Sequence, residues 1–145
     1  MDDIIIYTDG SCLYNPGNGG WAAIIIKNGK EKVISGNEKF TTNNRMELMA
    51  VIKALEEIKK PSEMALYTDS SYVINAFELG WLVKWQNNNW KNSDKKPVSN
   101  KDLWLKLLEL TDFHKVQFRK VKAHDSNLYN NRCDLLAKTE AARLN

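Results

Sequence analysis

Two short apolar runs end in the same way, and this repetition constrains the fold more than any other feature of the chain. The runs are "IIIYT" at 4–8 and "EMALYT" at 63–68, and each is followed directly by an aspartate, Asp9 or Asp69. Both have the length and the apolar content of buried strands. Between them, residues 44–59 carry apolar side chains at helical spacing, and Pro61 follows shortly after. A strand, a helix and a second strand in this order predict a parallel pair in an α/β fold.

The remaining segments extend this unit to a five-stranded mixed sheet with helices on both faces. Asn28-Gly29 is a hairpin signal that joins strands at 21–27 and 32–40, and "KVQFRKV" at 115–121 alternates as a fifth strand. Helical patterns cover 71–77, 81–85, 101–110 and 133–144. With 145 residues, of which 43% are apolar, we expect 1–145 to form a single domain. No run is long enough to span a bilayer, and the acidic start "MDD" is unlike a secretory signal, so we expect a cytoplasmic protein.

The two aspartates have a structural and a functional interpretation. An Asp after a strand is often a turn or cap residue, and Glu47 in the first turn of the long helix could complete a capping box with Asn44. In open sheets, however, ligands gather at the carboxyl ends of parallel strands, where Asp9 and Asp69 would meet. No lysine or arginine lies close in sequence to neutralise them, and Mg²⁺ is the usual partner of such oxygen ligands. The pattern therefore favours a metal site.

Basic residues are concentrated in two segments. Residues 81–101 contain five lysines against the single Asp94, and 113–124 contain four Lys or Arg and no acid. This local excess predicts a polyanionic partner. Four of the five tryptophans lie in or just after the first segment: Trp81, Trp85, Trp90 and Trp104. Aromatic residues at helical spacing are usually core residues, and we interpret Trp85 and Trp104 in this way.

Five blocks carry a resemblance to a known family. They are "YTDGSCLYNPGNGGWAAII", "TTNNRMELMAVIKALE", "YTDSSYVINA", "DKKPVSNKDLW" and "VKAHDSNLYNNRCDLLA". In this order, over nearly the whole chain, they resemble the motifs of bacterial type 1 ribonuclease H. The resemblance implies the ribonuclease H-like fold and an endonuclease that hydrolyses the RNA strand of RNA/DNA hybrids, leaving 5′-phosphate and 3′-hydroxyl ends. It also implies a two-metal mechanism with two Mg²⁺ ions, for which Mn²⁺ can substitute.

The same resemblance assigns the catalytic residues. The metal-binding quartet maps onto Asp9, Glu47, Asp69 and Asp134, and their mutual repulsion is expected to raise the pKa of each carboxyl group. His124 matches a mobile histidine that assists catalysis, although the sequence alone favours a loop histidine without a role.

Substrate contacts follow from the resemblance as well. Contacts to the RNA strand map onto Cys12, Asn15, Asn43, Asn44 and Ser71. Thr42 and Asn100 match a pocket for a phosphate of the DNA strand, and Trp81 matches another contact to that strand. Three features depart from the family: Ser71 replaces a common Gln, Phe40 replaces a common Arg, and the segment "QNNNW" is poor in the expected basic residues. These departures predict weaker substrate contacts.

Two other classes of protein remain as alternatives. One is a nucleic-acid-binding module that has lost catalysis, which the intact acids and His124 argue against. The other is a DNA-directed nuclease or strand-transfer domain of the same fold. The basic segment and the Asn-rich turn before Glu47 favour the hybrid-cleaving enzyme, and nothing in the sequence requires more than a monomer.

Overall fold

The described residues, 3–121 and 127–145 in a computed structural model, form one mixed sheet flanked by helices. The strands are β1 (Ile4–Cys12), β2 (Gly17–Lys27), β3 (Lys30–Thr41), β4 (Glu63–Thr68) and β5 (Lys115–Lys120), in the order β3-β2-β1-β4-β5. The first three strands pair antiparallel, and β1, β4 and β5 pair parallel. The predicted five-stranded mixed sheet is confirmed.

Helices pack on both faces of this sheet. They are α1 (Asn43–Glu56), α2 (Ser71–Glu78), α3 (Trp81–Asn87), α4 (Lys101–Phe113) and α5 (Leu128–Ala142). Successive residues of β2 point to opposite faces of the sheet. Ala23 belongs to the large core with α1 and α4, whereas Ala22 packs in a smaller cluster with Cys133 of α5. No helix among 3–121 and 127–145 is long and apolar enough to cross a membrane.

Two tryptophans, Trp85 in the first basic segment and Trp104 just after it, belong to or pack against the large core. Trp104 is fully buried, and its indole Nε1 donates to the Tyr72 hydroxyl at 3.0 Å. Trp85 is half-buried, with its ring centroid 5.6 Å from that of Trp104. The core interpretation of both residues is confirmed.

Several element boundaries differ from the predicted ones. Helix α5 begins at Leu128 rather than at 133, because the Asn127 side chain caps it by accepting from the Asn130 N–H at 3.0 Å. Helix α1 ends at Glu56 rather than at 59, and α4 extends to Phe113 rather than to 110. The polar "LYNNR" start of α5 has no apolar periodicity, which is why the sequence pattern missed it.

Strand β1 is also longer than predicted, which changes the setting of Asp9. The parallel pairing with β4 stops at Thr8 opposite Thr68, but the antiparallel pairing with β2 continues through Asp9 to Cys12. The prediction that Asp9 directly follows a strand is therefore wrong: Asp9 lies within β1. Its side chain is held by backbone that is hydrogen-bonded on one side, rather than by a turn.

Candidate active site

Three carboxylates from three different elements converge at the carboxyl end of the parallel strands. Asp9 comes from β1, Glu47 from α1 and Asp69 from the residue after β4, and one oxygen from each lies within 4.8 Å of the others. The in-register pair of Thr8 and Thr68 places Asp9 and Asp69 side by side, as the strand pattern predicted. Three hard oxygen donors this close together fit a divalent cation such as Mg²⁺.

The position of Glu47 depends on a close approach between β1 and α1. The Gly10 N–H donates to Glu47 Oε1 and, at 2.9 Å, to Asp9 Oδ1. A Cβ on Gly10 would lie 2.4 Å from the Glu47 backbone N, so only glycine allows this packing. The alternative interpretation of Glu47 as part of a capping box with Asn44 is wrong, because Thr42 caps α1 by accepting from the Arg45 N–H at 3.2 Å. Glu47 consequently lies in the second turn of α1.

Burial dominates the electrostatics of the Asp9–Glu47 pair. Asp9 is 4% exposed and Glu47 is 9% exposed. Burial, followed by the charges of Asp69 and Asp134, raises the pKa of Asp9 to about 7, against the hydrogen bonds from Glu47 and Gly10. The pKa of Glu47 is also raised, first by burial and then by Asp9. The direction that we predicted is confirmed for these two groups, but mutual repulsion is the smaller cause.

Asp134 lies on the same groove but outside the three-acid cluster. The groove has a volume of about 470 Å³ and is lined by the four acids together with Gly10, Asn43, Asn44, Ser70, Ser71, Tyr72 and Lys138. Asp134 Oδ2 accepts from Lys138 Nζ at 3.0 Å. The sequence analysis considered only the neighbours of Asp9 and Asp69 and did not predict this counter-charge beside Asp134. The only sequence signal for this pair was the i, i+4 spacing on a helix.

The backbone and side chains near the start of α1 bring several predicted substrate residues together. Asn43 N donates to Asn15 Oδ1 at 3.2 Å, and Cys12 N donates to Asn43 Oδ1 at 2.7 Å. Asn44 and Ser71 line the groove, and the Ser71 hydroxyl accepts from Lys120 Nζ. The structure thus gathers these polar groups beside the acids.

Thr42 and Asn100 meet through Arg45, a residue that the sequence analysis did not single out. Arg45 Nη1 donates to Asn100 Oδ1 at 3.4 Å, and the Thr42 hydroxyl accepts from the Arg45 backbone N–H. Arg45 also makes a bidentate pair with Asp102, at 2.8 and 3.1 Å. Nearby in sequence, Phe40 is 78% exposed and has a positive φ of 47°.

Two of the predicted site residues, Trp81 and His124, are not among the described residues that line the groove. Trp81 is half-buried at the edge of the core, with its ring centroid 6.0 Å from that of Trp85. His124 lies outside the described residues, so its assignment stays a prediction.

Comparison with known proteins gives one consistent result. A family model described as RNase H matches residues 1–142. The chain is 57% identical over 143 residues to Ribonuclease H of Thermoanaerobacter sp. (strain X514), covering 99% of this chain and 92% of that protein. Its fold resembles the crystal structure of LC9-RNase H1, a type 1 RNase H with the type 2 active-site motif. That match has a TM-score of 0.85 at 26% identity and covers 98% of this chain and 73% of the other. LC11-RNase H1 in complex with RNA/DNA hybrid has the same fold, with a TM-score of 0.69 at 23% identity, covering 98% of this chain and 99% of that one.

Proposed function

Because the chain belongs to the ribonuclease H family of enzymes, we propose that it hydrolyses the RNA strand of RNA/DNA hybrids. The observation that carries the proposal is the convergence of Asp9, Glu47 and Asp69 in a groove, with Asp134 on its wall. The proposed reaction is a metal-dependent endonucleolytic cut that leaves 5′-phosphate and 3′-hydroxyl ends.

In this proposal the four acids hold two Mg²⁺ ions, and Mn²⁺ can take their place. Bound divalent cations would activate the attacking water and stabilise the leaving oxygen. The protein contributes fixed geometry: β1 holds Asp9, and the Gly10 N–H orients the carboxylates of both Asp9 and Glu47. Burial raises the pKa of both Asp9 and Glu47 and metal ions bind ionised carboxylates, so we expect cation binding to release protons from this pair. His124 is assigned the accessory role in proton transfer or product release.

The surface around the acids suits a duplex substrate. The 2′-hydroxyl groups of the RNA strand distinguish it from DNA. We assign contacts with that strand to the short polar residues beside the groove, which are Cys12, Asn15, Asn43, Asn44 and Ser71. Trp81 is assigned to the DNA strand, and Thr42 with Asn100 to one of its phosphates. Neither Thr42 nor Asn100 carries a charge, and the exposed Phe40 adds none. The Arg45 guanidinium beside Asn100 is paired with Asp102, so this phosphate contact is weak.

Exposed lysines extend this surface. Five lysines are exposed on α3, the following loop and the start of α4: Lys84, Lys91, Lys95, Lys96 and Lys101. We assign them to phosphates of the hybrid, whose contacts add salt-dependent affinity. The proposal is completed by residues 1–145 acting as a single catalytic domain, as a monomer in the cytoplasm.

Cleavage of labelled duplexes tests the proposed substrate and reaction. An RNA/DNA hybrid should be cut in its RNA strand with Mg²⁺ and left intact with a chelator, whereas RNA/RNA and DNA/DNA duplexes of the same sequence should survive. Products should accept a 5′ label only after phosphatase treatment. Comparable cleavage of the DNA/DNA duplex would indicate a DNA-directed nuclease, and binding without any cleavage would indicate a module without catalysis.

A further inference from the structure

One charged group on the wall of the groove has no role in the proposed reaction. Lys138 lies one turn after Asp134 on α5, and its Nζ is 3.0 Å from Asp134 Oδ2. Of the described residues that line the groove, Lys138 alone carries a positive charge. The side chains of Lys138 and Asp134 are 54% and 36% exposed, so both groups can rearrange without disturbing the core.

We propose that Lys138 is a resident counter-ion that competes with divalent cations for Asp134 and thereby lowers the affinity of the groove for metal. This inference rests on the proposed function, since it concerns the same four acids. In the metal-free protein the ammonium group neutralises the carboxylate of Asp134. A cation that takes Asp134 as a ligand has to compete with the ammonium group for that carboxylate.

The positions of the acids indicate that Lys138 and a divalent cation compete for Asp134. One carboxylate oxygen from each of Asp9, Glu47 and Asp69 lies within 4.8 Å of the other two. The carboxylate of Asp134 lies outside that cluster and accepts a hydrogen bond from Lys138. A divalent cation and an ammonium group about 6 Å apart repel in water by an amount that corresponds to about a tenfold weaker metal affinity. Screening by salt reduces this effect to roughly threefold at physiological ionic strength.

A purely structural role for Lys138 makes a different prediction. An i, i+4 pair on an exposed helix face stabilises the helix slightly, and that contribution is the same with or without metal. A counter-ion that competes with metal gives an effect that depends on the metal concentration. The dependence on metal therefore separates the two roles.

Lys138→Met is the test variant, and Lys106→Met is its matched control. Lys106 is 48% exposed and also lies near carboxylates, at 3.7 Å from Glu56 and 3.9 Å from Glu109. The two variants remove the same charge by the same substitution. Glu56 is nine residues from Glu47 on α1, roughly 13 Å along the helix, so the control leaves the groove unchanged. Lys138→Arg keeps the positive charge.

Calorimetric titration with MgCl₂, without nucleic acid, measures the affinity directly. Lys138→Met should bind Mg²⁺ about 3- to 10-fold more tightly than wild type, while Lys138→Arg and Lys106→Met should stay within twofold of it. In thermal melting, Lys138→Met should lie below wild type in chelator, and this difference should shrink or reverse as Mg²⁺ is added.

Two results would overturn the inference: a Kd for Lys138→Met within twofold of wild type, or a melting difference that is equal in chelator and in Mg²⁺. Asp69→Asn, titrated in parallel, separates this failure from failure of the proposed function. If Asp69→Asn binds Mg²⁺ as wild type does, the metal site itself is misassigned and both proposals fall. If Asp69→Asn loses binding while Lys138→Met is unchanged, only the role of Lys138 is wrong.

Discussion

We predict that Asp9 makes the metal-free protein less stable as pH rises, and that Asp9→Asn removes this effect. Burial raises the pKa of Asp9 to about 7 in the folded protein, above its ordinary value of 3.8. Between these values the unfolded chain releases the proton while the folded protein retains it, so rising pH favours unfolding. The destabilisation is absent below about pH 4 and is fully developed above about pH 7.

The size of the effect follows from the two pKa values. About three pH units separate them, and each unit corresponds to about 1.4 kcal/mol, which gives a destabilisation on the order of 4 kcal/mol. In the wild type the Gly10 N–H donates to Asp9 Oδ1 at 2.9 Å, and in Asp9→Asn the amide oxygen can still accept this bond. The altered hydrogen bond to Glu47 offsets about 1 kcal/mol. We therefore expect a gain of about 2–4 kcal/mol at pH 8, or roughly 7–13 °C in Tm.

Urea unfolding in chelator at pH 8 and at pH 4 measures this gain. It should be present at pH 8 and should largely disappear at pH 4. Asp94→Asn, at an exposed loop position, is the control and should change stability by less than about 0.5 kcal/mol at either pH. Asp134→Asn should show no comparable gain, because it loses the ion pair with Lys138. If Asp9→Asn is no more stable than wild type at pH 8, the ionised Asp9 carboxylate does not destabilise the fold.

Three further variants test the packing at Gly10, the role of His124 and the position of the bound hybrid. Gly10→Ala should lower the unfolding free energy by about 2 kcal/mol or more in urea titrations, because the new Cβ would lie 2.4 Å from the Glu47 backbone N; an unchanged midpoint would contradict the close packing. His124→Ala should reduce kcat by on the order of 10²-fold with hybrid binding retained, and unchanged turnover would remove its accessory role. Replacing Lys95 and Lys96 with Ala should raise KM more than it lowers kcat and should flatten the salt dependence of binding; an unchanged salt slope would place the hybrid elsewhere.

The strand pattern alone predicted part of the site. Because β1 and β4 pair parallel and in register at Thr8 and Thr68, residues that follow these positions must emerge at the same edge. This rule needs only the order of the elements and the apolar runs. It correctly brought Asp9 and Asp69 together, even though Asp9 lies within the extended strand rather than after it.

The helical residues of the site could not be derived in the same way. Glu47 reaches the cluster because α1 packs directly on Gly10, and that contact depends on tertiary packing rather than on periodicity. For Glu47 and Asp134 the sequence analysis therefore relied on the family resemblance.

The counter-charge on α5 was missed for a related reason. An Asp and a Lys at i, i+4 are common on solvent-facing helix surfaces. Whether such a pair faces a groove depends on the rotation of the helix against the sheet. Because the start of α5 after its cap Asn127 is polar, the apolar pattern of the sequence could predict neither where this helix begins nor which face it turns to the groove.

Single-turnover cleavage by wild type and Asp69→Asn tests the central claim most directly. Each protein would be mixed in excess with labelled RNA/DNA hybrid, and the cleavage rate would be followed across a Mg²⁺ titration, with circular dichroism confirming an unchanged fold. An amide cannot replace an anionic metal ligand, so we predict that Asp69→Asn stays folded and binds hybrid but loses nearly all Mg²⁺-dependent cleavage. Near-normal cleavage by this variant at the same Mg²⁺ concentrations would contradict the assignment of the acid cluster as the catalytic metal site.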